Sequence, residues 1–347
     1  MTEWVNQPIK PLSSERLDQA LEHQGQLTKP PGSLGRLEEL AVLLCALQDT
    51  SSPTLERVSI RVFAADHGVV AEGVSAFPQE VTVEMIRNFA NGGAAISVLA
   101  EAQGADFAVV NMGTVVPAPE HEKVIQKPLG AGTHNFCEQP AMSAEQLEQA
   151  FRAGADIAEQ LAEQQCQLFI GGEMGIGNTT TAAALACALI GESPDQLVGL
   201  GTGVGAAGLQ RKTEVVARAL EFHQAAFDST LACMQRVGGF EIAALTGAYL
   251  RCAQLGIPSL VDGFICTVAA LAAMQINPGC QDWLLFSHQS AEQGHACVLE
   301  AMGAKPLLNL NMRLGEGSGA AVALPLLKLA CELHNGMATF EDAGVSQ

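Results

Sequence analysis

Short, continuously apolar runs alternate along the middle of the chain with longer stretches whose apolar residues recur at every third and fourth position. The runs are VSIRVFAA (58–65), DFAVVNM (106–112), CQLFIGG (166–172), LVGLG (197–201), IPSLV (257–261) and WLLFS (283–287). Unbroken apolarity over so few residues suits strands buried on both faces of a parallel sheet. Between them, AEQLEQAFRAGADIAEQLAEQQ, TEVVARALEFHQ and FEIAALTGAYLRCAQLG carry the helical period and read as crossover helices. The pattern predicts an α/β fold with a doubly wound sheet flanked by helices. The first 50 residues and the C-terminal tail are helical in pattern and carry no strand signal. TKPPGSLGRLEELA is a joint, because Pro30 and Pro31 break one helix before Leu34 starts the next.

The residues just after each run point to the chemistry. These junctions are ADHG (Asp66, His67, Gly68), NMG, GEMGIGNTTT, GTGVG, DG (Asp262, Gly263) and SHQSAEQG, each carrying glycine or small polar residues. In open α/β sheets, ligands bind outside the carboxyl ends of the strands, where helix N-termini offer backbone N–H groups. The site is therefore expected along one rim of the sheet.

Charge narrows the classes of partner. Asp and Glu number 37 against 18 Lys and Arg, a formal net charge of -19. No positive excess exists to neutralise a nucleic-acid backbone or an anionic membrane, so neither partner is expected. The stretch MTEWVNQPIKPLSSERLDQ lacks the charged-then-apolar signal pattern, and no apolar run reaches the ~18 residues of a membrane span. A soluble cytoplasmic protein is expected. The ten cysteines form no CxxC or CxC pair and the eight histidines no HExxH-like spacing, which reads as reduced core thiols and no metal.

GEMGIGNTTTAAALA leads from a glycine-rich turn through Asn178, Thr179 and Thr180 into an alanine-rich helix. Glycines admit a ligand close to the backbone, hydroxyls donate, and the helix dipole favours negative charge, so the segment reads as an anion cradle. The spacing from Gly172 to Gly177 imitates a P-loop, but Asn178 stands where the phosphate-binding lysine belongs. GVGAAG (203–208) matches the dinucleotide spacing GxGxxG, yet no acid is well placed about 20 residues on, so a ligand-lining loop is preferred to NAD binding. Lys212 comes next, as either a solvated lysine or a phosphate contact. Three acids, Glu173, Asp262 and Glu316, sit beside glycine at the expected rim, more than helix capping alone requires. In GVSAFPQEVTVEMIRNF, Phe77 and Pro78 lead to a stripe of Val83, Met85, Ile86 and Phe89 that reads as core or as a flat slot for an aromatic ligand.

Taken in order, KPPGSLGRLE, ADHGVVAEGVSAFPQEVT, GEMGIGNTTTAAA, GTGVG, VGGFEIAALTG, VDGFI, SHQSAEQG and MRLGEGSGAA closely resemble the nicotinate-nucleotide:dimethylbenzimidazole phosphoribosyltransferase family, nearly end to end. The resemblance implies a Rossmann-like, six-stranded, mostly parallel sheet in a large domain (51–318), a small helical domain built from both termini (1–50 with 319–347), a homodimer, and neither metal nor cofactor. It implies transfer of phosphoribose from nicotinate mononucleotide to an aromatic base, with Glu316 at the position of the family's catalytic glutamate and Glu173 and Asp262 at acidic positions near the reacting groups. It carries the mononucleotide contacts to Gly175, Gly177, Asn178, Thr179, Thr180, Gly203, Lys212, Gly263 and Ser290. The aromatic base falls to Phe77, Pro78, Glu84, Met85 and Leu314. Here the chain departs from the family, having Glu84 and Met85 where members often carry Gln, and Phe77 for a smaller polar residue. A bulkier slot that takes dimethylbenzimidazole or a related aromatic base is expected. A non-catalytic nucleotide-binding protein and a dehydrogenase binding NAD at GVGAAG are the rival readings.

Overall fold

The computed structural model describes residues 3–201, 203 and 205–346. Thr202 and Val204 of the fourth junction lie outside the described residues. Six strands, β1 (Val58–Ala65), β2 (Asp106–Gly113), β3 (Val124–Gln126), β4 (Leu168–Met174), β5 (Ser259–Val261) and β6 (Leu284–Phe286), form one sheet in the order β3-β2-β1-β4-β5-β6. Every pairing is parallel. The helices, in chain order, are α1 (Ser14–Gln26), α2 (Arg36–Gln48), α3 (Glu80–Ala90), α4 (Ala95–Gln103), α5 (Ala144–Glu163), α6 (Asn178–Ile190) and α7 (Pro194–Leu197). They continue with α8 (Ala206–His223), α9 (Thr230–Val237), α10 (Phe240–Leu255), α11 (Phe264–Ile276), α12 (His295–Ala301), α13 (Ser318–Gly336) and α14 (Phe340–Ala343).

The central strand β1 is buried along all eight residues, as continuous apolarity demands of a strand covered on both faces. The strands depart from the expectation at three points. LVGLG is not a strand: Ser193 and Pro194 start the short helix α7, which ends at Leu197, and Gly201 then takes a left-handed φ of 57°. Leu200, which a doubly covered strand would bury, is 48% exposed. The sixth strand is instead β3, three residues at the sheet edge with only Val124 buried, too short and too half-covered to show a period. β4 also begins and ends two residues later than its apolar run, so Glu173 belongs to the strand itself.

Small residues set the helix packing behind the sheet. A Cβ on Gly154 of α5 would stand 1.9 Å from the Ala244 carbonyl oxygen, and one on Gly247 of α10 would stand 2.3 Å from that of Phe151. These two helices therefore cross backbone to backbone, which only glycine permits. At the other end of the molecule α1 packs on α2 and α2 on α13, and Leu27 bridges to Thr339, so the two chain ends meet. Among the described residues no helix is long and apolar enough to cross a membrane.

Candidate active site

The order in which strands are added reverses between β1 and β4, since β2 and β3 lie to one side and β4, β5 and β6 to the other. Such a switch point opens a crevice at the carboxyl ends of the strands. Here the crevice is a cleft, open at its mouth, whose walls include Glu173, Gly175, Asn178, Thr179, Gly263, His288, Ser290, Arg313, Leu314 and Glu316. A smaller chamber shares Gly175, Asn178 and Thr179 and adds Ser75, Gly177, Leu200 and Lys212.

Glu316 is held in an unusual backbone. Gly315, Glu316 and Gly317 take successive φ values of 86°, 67° and 87°, and a non-glycine residue in that region costs about 1–2 kcal/mol. The surroundings hold it there. The N–H groups of Gly317 and Ala320 donate to the two oxygens of Asp262 at 3.1 and 2.9 Å. A Cβ on Gly172 would stand 2.3 Å from the Glu316 carbonyl oxygen, and one on Gly315 would stand 2.4 Å from Oε1 of Glu173. The glycines beside these acids are thus demanded by close approach as well as by φ.

The three acids are in distinct electrostatic settings. Burial pushes the Glu316 pKa up to about 7, aided by nearby Asp262 and opposed by the Ile96 N–H at the start of α4. Its Oε2 is buried without a hydrogen-bond partner among the described residues. Glu173 is driven well above the usual carboxylate range, first by burial and then by Asp262, Glu241 and Glu316, so its protonated form is favoured. Asn178 Nδ2 donates to its Oε2. Asp262 lies behind the cleft wall as the cap of α13; burial raises its pKa, while His288 and the Ala320, Gly263 and Gly317 amides oppose the rise.

Another part of the lining is suited to an anion. The N-terminal residues of α6 (Asn178, Thr179) and of α11 (Phe264, Ile265) both line the cleft, and helix N-termini favour negative charge. Behind Thr179, the buried Lys212 donates from Nζ to Thr179 Oγ1 at 3.1 Å and to the Gly199 carbonyl at 2.9 Å. That leaves one of its three protons for a ligand. Burial lowers its pKa to about 8, with Glu292 pulling it back up. Ser290 is fixed from behind: its N–H donates to His295 Nδ1 at 2.8 Å, and His295 Nε2 meets Thr267 Oγ1 at 2.9 Å. Burial holds the His295 pKa down to about 3, so the ring is neutral with its proton on Nε2.

Not every residue singled out in the sequence reaches the cleft. Thr180 is fully buried with its hydroxyl unpartnered among the described residues, and Gly203 is exposed; neither lines either of these two chambers. Phe77 is 47% exposed, Pro78 and Glu84 are exposed, and Met85 packs against the core; none of these four lines a chamber either. Of the residues assigned to the base, only Leu314 does. Conversely, Ser75, His288, Glu292 and Arg313 line the chambers without having been singled out. Arg313 stood in the stretch RLGEGSGAA and His288 in SHQS, so proximity to the glycine motifs was the available signal. The GVGAAG spacing leads into α8, but a short helix and a loop precede it where a dinucleotide turn needs a strand.

A family model described as a phosphoribosyltransferase matches residues 9–345. A protein of Pseudomonas fluorescens named nicotinate-nucleotide–dimethylbenzimidazole phosphoribosyltransferase is 57% identical over 343 residues, covering 99% of this chain and 98% of its own. A protein of the same name from Xanthomonas euvesicatoria pv. vesicatoria is 59% identical over 327 residues, 94% of each chain. Among solved structures, CobT from Thermus thermophilus is 46% identical and superposes with a TM-score of 0.92, covering 96% of this chain and 99% of that one.

Proposed function

The chain belongs to the phosphoribosyltransferase family of the nicotinate-nucleotide–dimethylbenzimidazole enzymes, and we propose that Glu316 is the base of its transfer reaction. The reaction moves phosphoribose from nicotinate mononucleotide to 5,6-dimethylbenzimidazole or a related aromatic base. It yields α-ribazole 5'-phosphate and nicotinate for the nucleotide loop of cobalamin. The observation that supports Glu316 is its carboxyl, pushed up to about 7 with Oε2 buried and unpartnered on the cleft wall.

The chemistry asks little else of the protein. Nicotinate leaves through a positively charged ring nitrogen that takes the C1'–N electron pair and becomes neutral, so its departure needs no acid. One nitrogen of the incoming base attacks the opposite face of C1', converting a β link to an α link, and its other nitrogen loses a proton to Glu316. A carboxylate there offsets the positive charge that develops on the base. Glu173, bonded to Asn178 Nδ2, serves as an orienter, and Asp262 as the anchor of the Glu316 loop. The 5'-phosphate is drawn to the wall where α6 and α11 begin, with Gly175, Gly177, Asn178, Thr179, Gly263, Ser290 and Lys212 around it. Local donors then hold an anion on a chain that is acidic overall. A helical domain of 1–50 with 319–347, a catalytic body of 51–318, a homodimer and a cytoplasmic location complete the proposal.

The direct test incubates the protein with nicotinate mononucleotide and a mixture of dimethylbenzimidazole, benzimidazole, adenine and p-cresol, and reads products by mass spectrometry. A riboside phosphate is expected, with dimethylbenzimidazole consumed first. Absence of any riboside phosphate would return the chain to a nucleotide-binding role.

Lys212 supplies a second expectation. Lys212→Met is expected to raise the mononucleotide KM about tenfold or more, the loss of one charge-assisted hydrogen bond. In the unaltered protein the same KM rises with pH through about 8 as the ammonium is lost, because only the charged form attracts phosphate. Initial rates between about pH 7 and 9.5 check both, the Met variant losing the pH dependence.

A further inference from the structure

Beneath the glycine turn after β4, three side chains from distant parts of the chain line up: Glu241 of α10, His67 just after β1, and Thr181 of α6. His67 Nε2 lies 2.9 Å from Glu241 Oε1, and its Nδ1 lies 3.0 Å from Thr181 Oγ1. All three residues are 0% exposed. No hydrogen bond satisfies His67 Nε2 or either Glu241 oxygen among the described residues, so the short contact between the two residues stands alone.

Carboxyl, imidazole and hydroxyl in this order are the parts of a nucleophilic triad. Complete burial removes that role, since no substrate reaches the Thr181 hydroxyl. Burying a carboxyl against a single partner is costly, and the ring it orients has a definite neighbour. A Cβ on Gly175 would stand 3.0 Å from His67 Nε2 and 3.3 Å from its Cδ2, and one on Gly177 would stand 3.3 Å from His67 Cβ. The Ala65 carbonyl oxygen at 2.2 Å from the first and Val70 Cγ2 at 2.8 Å from the second come closer still, so the imidazole is one of three groups packed beneath the turn. A Cβ on Gly239 would meet His67 Cε1 at 2.5 Å and Glu241 Oε2 at 2.7 Å, so the motifs ADHG and VGGFE exist in part to bring this pair together. Thr181, in the first turn of α6, ties the ring to the helix whose start faces both chambers.

We propose that Glu241, His67 and Thr181 are positioning residues that hold the Gly175–Gly177 turn and the start of α6 in the geometry that grips the mononucleotide phosphate. They set affinity for the mononucleotide and leave the rate of transfer to Glu316. With Nε2 2.9 Å from the Glu241 carboxyl and Nδ1 bonded to the Thr181 hydroxyl, the ring is held between α10 and α6 against the underside of the turn. The inference rests on the phosphoribosyl-transfer reading for the identity of its ligand.

Thr181→Val removes the hydroxyl with little change of shape, and Thr181→Ser keeps it. The Val variant is expected to raise both the mononucleotide KM and its calorimetric Kd about tenfold, with kcat within about threefold of the unaltered protein, while the Ser variant behaves as unaltered. Unchanged KM and Kd in the Val variant, kcat falling as far as KM rises, or equal losses in Ser and Val would each overturn the proposal. If the Val variant loses its thermal transition, Glu241→Gln, which keeps the side chain's shape, carries the same expectations. The titration uses mononucleotide without acceptor, so it reads the positioning effect even if the unaltered protein makes no riboside phosphate. That last result would sink only the transfer reading.

Discussion

Glu316→Gln is expected to lower kcat by about two to four orders of magnitude, the usual worth of a positioned general base, while the mononucleotide KM stays within about threefold. The amide keeps the shape, and the Asp262 bonds to Gly317 and Ala320 stay in place, so the left-handed turn through Gly315, Glu316 and Gly317 has no reason to open. What disappears is the proton acceptor at the buried, unpartnered Oε2. The unaltered protein gives a matching profile: kcat rises with pH through about 7, where the carboxyl ionises, and is flat above it. Stability runs the other way. A carboxyl whose folded pKa is raised from 4.5 to about 7 binds its proton more tightly in the folded chain, so its contribution falls as pH climbs from 4.5 through 7. The Gln variant should therefore melt no lower than the unaltered protein at pH 8 while being nearly inactive. Stopped-assay rates and thermal melts across pH 5–9 test both halves; near-normal turnover in the variant would remove Glu316 from the base role.

The legible part of this molecule is the part whose cause is local. β1 and β2 could be placed because burial leaves their runs mostly apolar, with Ser59, Arg61 and Asn111 as the few interior polar positions, and Glu316 was visible with Glu173 and Asp262 as an acid beside glycine, its place as the base coming from the family resemblance. LVGLG was misleading because apolarity over five residues cannot tell a strand from the end of a helix and a loop, and the decisive residues were Ser193 and Pro194 just before it. β3 was invisible for the opposite reason, being three residues at an edge. The cradle was legible as glycines and hydroxyls, but which of its threonines faces the ligand was not. Thr179 lines both chambers, Thr180 points into the core, and Thr181 meets His67; that division depends on helical phase and on neighbours more than a hundred residues away. Phe77, Pro78, Glu84 and Met85 carry the same lesson, for a plausible aromatic stripe says nothing of which cleft, if any, it borders.

Asp262→Ala is expected to do two things at once: lower stability by about 2–5 kcal/mol and lower kcat by about 100-fold. Asp262 is buried and accepts the N–H groups of Gly317 and Ala320, one on each oxygen. Alanine leaves both donors buried without partners, at about 1–3 kcal/mol each. Those donors belong to the turn that carries Glu316, whose strained φ persists only while neighbours hold it. A released turn moves the base relative to C1', and about 1 Å of misplacement is enough for a 100-fold loss. Asp262→Asn separates the two effects, because its single carbonyl oxygen keeps one bond while its amide turns a donor toward the other N–H. It should fall between Ala and the unaltered protein in both melting temperature and kcat. Rates measured well below each variant's melting temperature decide the matter. If Asp262→Ala melts lower yet turns over at the normal rate, Asp262 is a helix cap and nothing more; if kcat falls in the order Asp, Asn, Ala with the mononucleotide KM steady, it acts on the reaction through the backbone of Glu316.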